Sequence, residues 1–89
     1  VKFAQSKSKI VSAILSESEM HGWDPLLIAA IIHEESTFRS SALSPKGARG
    51  LMQVMPGTGK FVSTVNNLEW RGVESLYDER TNIRVGVTY

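Results

Sequence analysis

Seven apolar residues stand in a row from Leu26 to Ile32 and run straight into His33-Glu34-Glu35-Ser36. A segment this apolar has no polar face to turn to water, so as a helix it is predicted to be central and buried. Its start is marked. Asp24 can accept from the free amides of a first helical turn, Pro25 suits the first helical position, and Trp23 can staple onto Ile28. The helix is expected to end near Glu35 or Ser36. Leu27, Ile31 and Glu35 share four-residue spacing, so Glu35 closes an apolar face, with Glu34 about 100° around the axis. A carboxyl at that end meets the negative pole of the helix dipole and, in apolar surroundings, loses solvation. Both effects favour the protonated form that a general acid needs. The alternative left open by the spacing is a solvated pair of acids, or one paired with His33 or Arg39.

The rest of the chain reads as helices too. Ile10, Val11, Ala13, Ile14, Leu15 and Met20 recur at helical spacing, predicting a first helix over residues 6–20 that stops at His21-Gly22. Serines, Pro45, Gly47 and Gly50 predict a turn-rich loop over residues 40–50. A short apolar piece, Leu51 to Met55, leads to Pro56-Gly57-Thr58, which opens a helix running to about Val65, and Asn66-Asn67 breaks it. Asp78 can cap a last helix containing Ile83, Val85 and Val87. Alternating strand patterns, repeats and linkers are missing, so the fold class expected is all-α, one domain over residues 1–89. The helical pattern is still running at Tyr89, from which the expectation is a domain cut short at its C-terminal end.

Composition narrows the function. Hydrophobic residues at 42% and charged residues at 21% are those of a folded globular chain rather than a disordered one. Ten Lys and Arg against nine Asp and Glu leave a net charge of +1, with the basic residues scattered, so neither nucleic acid nor an acidic membrane is an expected partner. With no cysteine there is no disulfide, thiol nucleophile or thiolate zinc site. His33-Glu34 opens like a zinc-protease helix, but Thr37 stands where the second histidine is required, so no metal is expected. No apolar run reaches the roughly 20 residues of a membrane span, and an export signal, if any, is expected outside these residues.

The stretch after the glutamates carries a more specific signal. Glu35-Ser36-Thr37-Phe38, then Ala42-Leu43-Ser44-Pro45-Lys46-Gly47-Ala48-Arg49-Gly50-Leu51-Met52-Gln53-Val54-Met55-Pro56, closely resembles the signature of soluble-type lytic transglycosylases (the SLT domain of the lysozyme-like superfamily). Leu76-Tyr77-Asp78 with Asn82-Ile83, Gly86 and Tyr89 resembles that family's next motif. The likeness covers residues 23–89. It departs at Arg39-Ser40, where members often carry Asn-Pro, and at Gly57 and Gly59, where alanine is frequent. The family's later Ala-Tyr-Asn-Ala-Gly motif, whose tyrosine lines the cleft, has no counterpart in these residues, so the resemblance implies an incomplete site.

The resemblance implies a lysozyme-like helical fold and a bacterial envelope enzyme, periplasmic or extracellular. Its substrate would be the peptidoglycan glycan strand, cut at the β-1,4 bond between N-acetylmuramic acid and N-acetylglucosamine. The glutamate before Ser is the family's acid, which selects Glu35 over Glu34. Most glycosidases place a second carboxylate across the bond, whereas no acid occurs here between Glu35 and Glu69. That fits one residue acting as acid and then base, closing a 1,6-anhydromuramoyl ring without water, metal or organic cofactor. Ser44, Gln53, Met55 and Ser36 are the substrate-contacting positions implied, Gln53 offering both a donor and an acceptor. Their ordinary alternatives are a turn serine, a loop hydrogen bond, a core methionine and a helix-ending serine. Gly47 and Gly50 are expected to let the loop approach its neighbours closely. Trp23, Phe38, Phe61 and Trp70 are assigned to core or lid. A goose-type muramidase using the same Glu35, and a non-catalytic peptidoglycan-binding domain, are the competing readings.

Overall fold

Asp24 caps as the sequence requires: its carboxylate accepts from Leu26 N at 2.9 Å and Pro25 takes the first helical position. In the computed structural model, which describes the backbone over residues 2–89 and side chains over residues 6–89, this cap opens α2 (Pro25–Ser36). Before it lies α1 (Lys2–His21), one turn longer at its start than the apolar pattern indicated. Gly22 breaks α1 with φ +70°, and Trp23 N closes the turn on Ser18 O at 2.9 Å. After α2 the chain winds through a long loop into α3 (Pro56–Val65), then a 3-10 helix (Val73–Tyr77), then α4 (Glu79–Thr88). The all-α reading stands: no strand forms among the described residues, only isolated antiparallel bridges from Arg49 to Leu43 and Val54. The 3-10 helix is the element the sequence pattern did not show. It is five residues long and carries a single buried anchor, Leu76, too little periodicity to read.

The core has two lobes. One joins Ile10, Ala13 and Ile14 of α1 with Ile28 and Ile32 of α2, Leu51, and Ile83 and Val87 of α4. The other joins Val54, Val62, Leu76 and Val85. Met52 packs against both, so the loop that follows α2 is wedged between them. Of the four aromatics assigned to core or lid, Trp70 packs on the second lobe, whereas Trp23, Phe38 and Phe61 remain exposed. One buried carboxylate also ties the ends of the chain together. Glu17 of α1 is fully buried; its Oε2 accepts from Arg84 Nε of α4 at 3.1 Å, and Oε1 lies 3.4 Å from His21 Nε2.

The expectation for α2 is corrected. It is not central. Only the stripe Ile28, Ile32 and Ser36 is buried, while Leu26 is 76% exposed and Leu27 49%. The reason is topological: α1, Leu51 of the following loop and α4 all meet α2 along its one buried stripe, and its Leu26–Leu27 side stays exposed. The central helix is α4, which packs against α1, α3 and the 3-10 helix and buries Asn82, Ile83, Val85 and Val87.

Candidate active site

At the end of α2 the backbone turns sharply. Thr37 and Phe38 both take left-handed conformations (φ +50° and +62°), which are uncommon for residues with a side chain. Thr37 N donates to His33 O at 3.0 Å, and a second carbonyl gathers the remaining bonds of the turn. Ser36 O accepts from Thr37 Oγ1 at 2.6 Å, Arg39 N at 3.1 Å and Arg39 Nε at 3.2 Å. The Ser36 side chain is buried and its hydroxyl donates back to Ile32 O at 3.1 Å. Geometry therefore gives Ser36 the helix-ending part among its two readings.

Glu35 departs from the apolar pocket expected for it. Its side chain is exposed, and no described residue hydrogen-bonds or ion-pairs with it. Glu34 is exposed as well. Since α2 shows its Leu26–Leu27 side to solvent, the face that ends on Glu35 is an open wall rather than the lining of a cavity. Among the described residues, two large grooves lie elsewhere: one of about 810 Å³ between α1 and residues 37–41, lined by Ile10, Val11, Ile14 and Phe38 among others, and one of about 550 Å³ lined by Arg71, Glu74, Asp78 and Arg84 among others. Glu35 lines neither. No cluster of His, Asp or Glu among the described residues is arranged to hold a metal. Remote from this chemistry, the exposed Glu69–Arg71 pair, joined at 2.9 Å, raises the Arg71 guanidinium through its hydrogen bond and then its charge.

The loop beyond α2 is built as a chain of backbone bonds that leads from the helix exit to Gln53. Arg39 N donates to Ser36 O, Ala42 N to Arg39 O (3.1 Å), Gly50 N to Ala42 O (2.8 Å) and Gln53 N to Gly50 O (3.1 Å). Ser44 closes a turn within it, its Oγ accepting from Ala48 N and its N donating to Ala48 O, both at 2.9 Å. The half-buried hydroxyl keeps its own hydrogen for another acceptor. Gln53 sits at φ +51°, and its Nε2 donates to Gly50 O at 2.9 Å and Ala42 O at 3.3 Å. Two carbonyl oxygens can be faced only by the amide NH2, so Oε1 points the other way. Gln53 thus offers an acceptor, not the donor-and-acceptor pair expected of it. Met55, 42% exposed, stands just before α3. Ser44, Gln53 and Met55 lie along one turn-rich segment, and backbone bonds lead from Gln53 back to the helix that carries Glu35.

Gly50 shows why this segment needs a glycine. At φ +79°, a side chain there would run into Asn82 Nδ2 and Leu76 O. Asn82 is the residue that sequence reasoning underrated. It was visible as part of a motif, and a further signal was available: asparagine is a poor former in mid-helix, and here it precedes the apolar Ile83, Val85 and Val87.

The helical order, the glutamate closing α2 and the bonded loop after it define a lysozyme-like helical domain. Superposition on solved structures agrees: an inactive mutant of the lytic transglycosylase Slt from Pseudomonas aeruginosa matches with a TM-score of 0.83 and 35% identity over 86% of this chain and 12% of that one. The 70 kDa soluble lytic transglycosylase from Escherichia coli matches with a TM-score of 0.83 and 29% identity over 88% of this chain and 13% of that one. The chain belongs to the transglycosylase SLT domain family, whose model matches residues 12–89. Among curated proteins, the soluble lytic murein transglycosylase of Salmonella typhimurium is 39% identical over 61 residues, 67% of this chain and 10% of the relative. The membrane-bound lytic murein transglycosylase C of Mannheimia succiniciproducens is 36% identical over 83 residues, 91% of this chain and 23% of the relative. The chain therefore spans between a tenth and a quarter of the length of these relatives. No helix among the described residues is long and apolar enough to cross a membrane.

Proposed function

We propose that this chain carries the acid-bearing part of a peptidoglycan lytic transglycosylase acting in the bacterial envelope, with residues 1–89 all belonging to one catalytic domain. The observation that supports this most is the SLT family match across residues 12–89, which includes Glu35 and the whole loop bonded to its helix. Glu35 donates its proton to the glycosidic oxygen as the bond from muramoyl C1 breaks. The substrate's own N-acetyl oxygen stabilises the cationic carbon. The ionised Glu35 then takes the proton of the C6 hydroxyl while that oxygen bonds to C1, closing the 1,6-anhydro ring. Protons balance, and no water is consumed.

Three features support this reading, the first of them against a two-carboxylate hydrolysis. No acid lies between Glu35 and Glu69. Glu35 is exposed and unpartnered among the described residues, hence available to a polymeric ligand. The P. aeruginosa relative is described as inactive when it carries one glutamate-to-glutamine exchange. A sugar docked on the exposed Glu35 helps to exclude the water that a general acid must shed. Gln53 Oε1 accepts from a sugar N–H or O–H, the Ser44 hydroxyl donates, and Met55 packs on a ring face.

The test is digestion of purified sacculi with mass analysis of the fragments. Anhydromuramoyl ends are expected. Reducing ends would make the chain a hydrolase, and binding without any cleavage, even in a longer stretch of the protein, would make it a glycan-binding domain. Glu35→Gln should lower turnover by about 10³-fold, within the range general acids contribute, and Glu34→Gln should retain most of it. Equal losses would remove Glu35 from the acid role.

A further inference from the structure

We propose that Asn82, a residue of α4 outside the candidate site, is what positions the Gln53 acceptor; its consequence for turnover rests on the glycan-cleaving reading above. Asn82 is fully buried and its amide is spent on backbone alone. Nδ2 donates to Arg49 O and Leu76 O, both at 2.8 Å, and Oδ1 accepts from Met52 N at 2.7 Å. Its orientation is forced, since two carbonyls face one end and an N–H faces the other. The bonds to residues 49 and 52 bracket Gly50 and Leu51, and Gly50 lies so close to Asn82 that no Cβ fits between them. One turn further along α4, a Cβ on Gly86 would sit 3.0 Å from Met52 Cβ, so the helix presents an amide and then a bare backbone to the loop. Asn82 and Gly86 together form a seat for residues 49–52.

Gln53 is the next residue, and it needs the seat. It holds φ +51°, a conformation that costs a residue with a side chain and persists only where surroundings enforce it. Its Nε2 bonds to Gly50 O, whose position depends on the bracket around it. With the Asn82 amide removed, Met52 N–H and Arg49 O lose their partners, residue 53 is free to leave the left-handed region, and the Oε1 direction is lost with it. Aspartate at 82 cannot substitute, because it would turn an acceptor toward Arg49 O and Leu76 O.

The test pairs a spectroscopic readout with a kinetic one on this chain. In wild type the Gln53 side-chain amide protons should be resolved and slow to exchange; in Asn82→Ala they should exchange like a free amide at a temperature where the protein is still folded. On glycan strands kcat should fall about 10²-fold with KM little changed, the scale of a roughly 1 Å misplacement. Asn82→Ala combined with Gln53→Ala should lose no more than Gln53→Ala alone, since one acts through the other. Should Asn82→Ala not fold, Asn82→Ser, which keeps one hydroxyl at the seat, should give the same changes at smaller amplitude. Retained protection of the Gln53 amide in a folded variant, or additive losses in the double variant, would overturn the proposal. A wild-type protein that cuts no glycan, even as a longer stretch that extends past Tyr89, while Asn82→Ala still frees the Gln53 amide would uphold the positioning and refute the enzyme reading instead.

Discussion

Helices α2 and α4 invert what their compositions suggest. The first, PLLIAAIIHEES, has seven consecutive apolar residues yet buries only Ile28, Ile32 and Ser36. The second, ERTNIRVGVT, has three large apolar residues and buries all of them, with Asn82 besides. Apolarity sets how much a segment gains by being covered; the number of neighbours sets how much of it is covered. In this chain α4 has neighbours on several sides and α2 on one. The consequence reaches the chemistry. The exposed helix carries the candidate acid at an open edge, and the buried helix seats the loop bonded to that helix's end.

Stability measurements can break this comparison. The largest contrast is expected between Ile83→Ala and Leu26→Ala. The first empties a fully buried site shared by α1, α2 and α4, costing about 3 kcal/mol, while the second trims a side chain already in water and should stay within about 0.5 kcal/mol. Denaturant midpoints that fall equally for both would show that α2 is covered after all. Next comes Arg84→Ala, which leaves the buried Glu17 carboxylate with only His21 nearby. A loss of about 3 kcal/mol is expected, discounted toward about 2 because Arg84 is itself 39% exposed. The paired change of Glu17 and Arg84 to Leu and Met should recover much of it.

Smaller effects sharpen the role of α4 as a seat. Gly86→Ala forces a methyl against the Met52 side chain and should cost about 1–2 kcal/mol, read as a lowered melting temperature. Gly57→Ala has open space around its Cβ position in a helix and should be neutral or slightly stabilising, by up to about 1 kcal/mol. A destabilising Gly57→Ala would mean that α3 is strained in a way its packing does not show.

Much of the fold was legible because its signals are local. Asp24-Pro25, Gly22, Pro56, Asn66 and Asp78 mark helix ends through backbone hydrogen bonding and allowed dihedral angles, and α2, α3 and α4 begin where those residues place them. The 3-10 helix was missed because five residues with one buried anchor carry no period. The candidate site was half legible. Its residue types and spacing were visible from Glu35 to Met55, but the bonding state of each side chain was not. Gln53 read as donor and acceptor, whereas Ala42 O and Gly50 O consume its donors. Such partners are set by loop closure, which no residue types announce.

By itself the sequence determined an all-α chain, the caps that delimit its helices, and the placing of Glu35 at the end of the most apolar one. Each of these rests on interactions within a few residues of one another. Only the tertiary structure decided which helix is central, that Glu35 faces solvent, and that Asn82 reaches back 30 and 33 residues along the chain to hold Met52 and Arg49. Burial and long-range hydrogen bonds depend on which elements become neighbours, and that is settled by how all the helices pack at once.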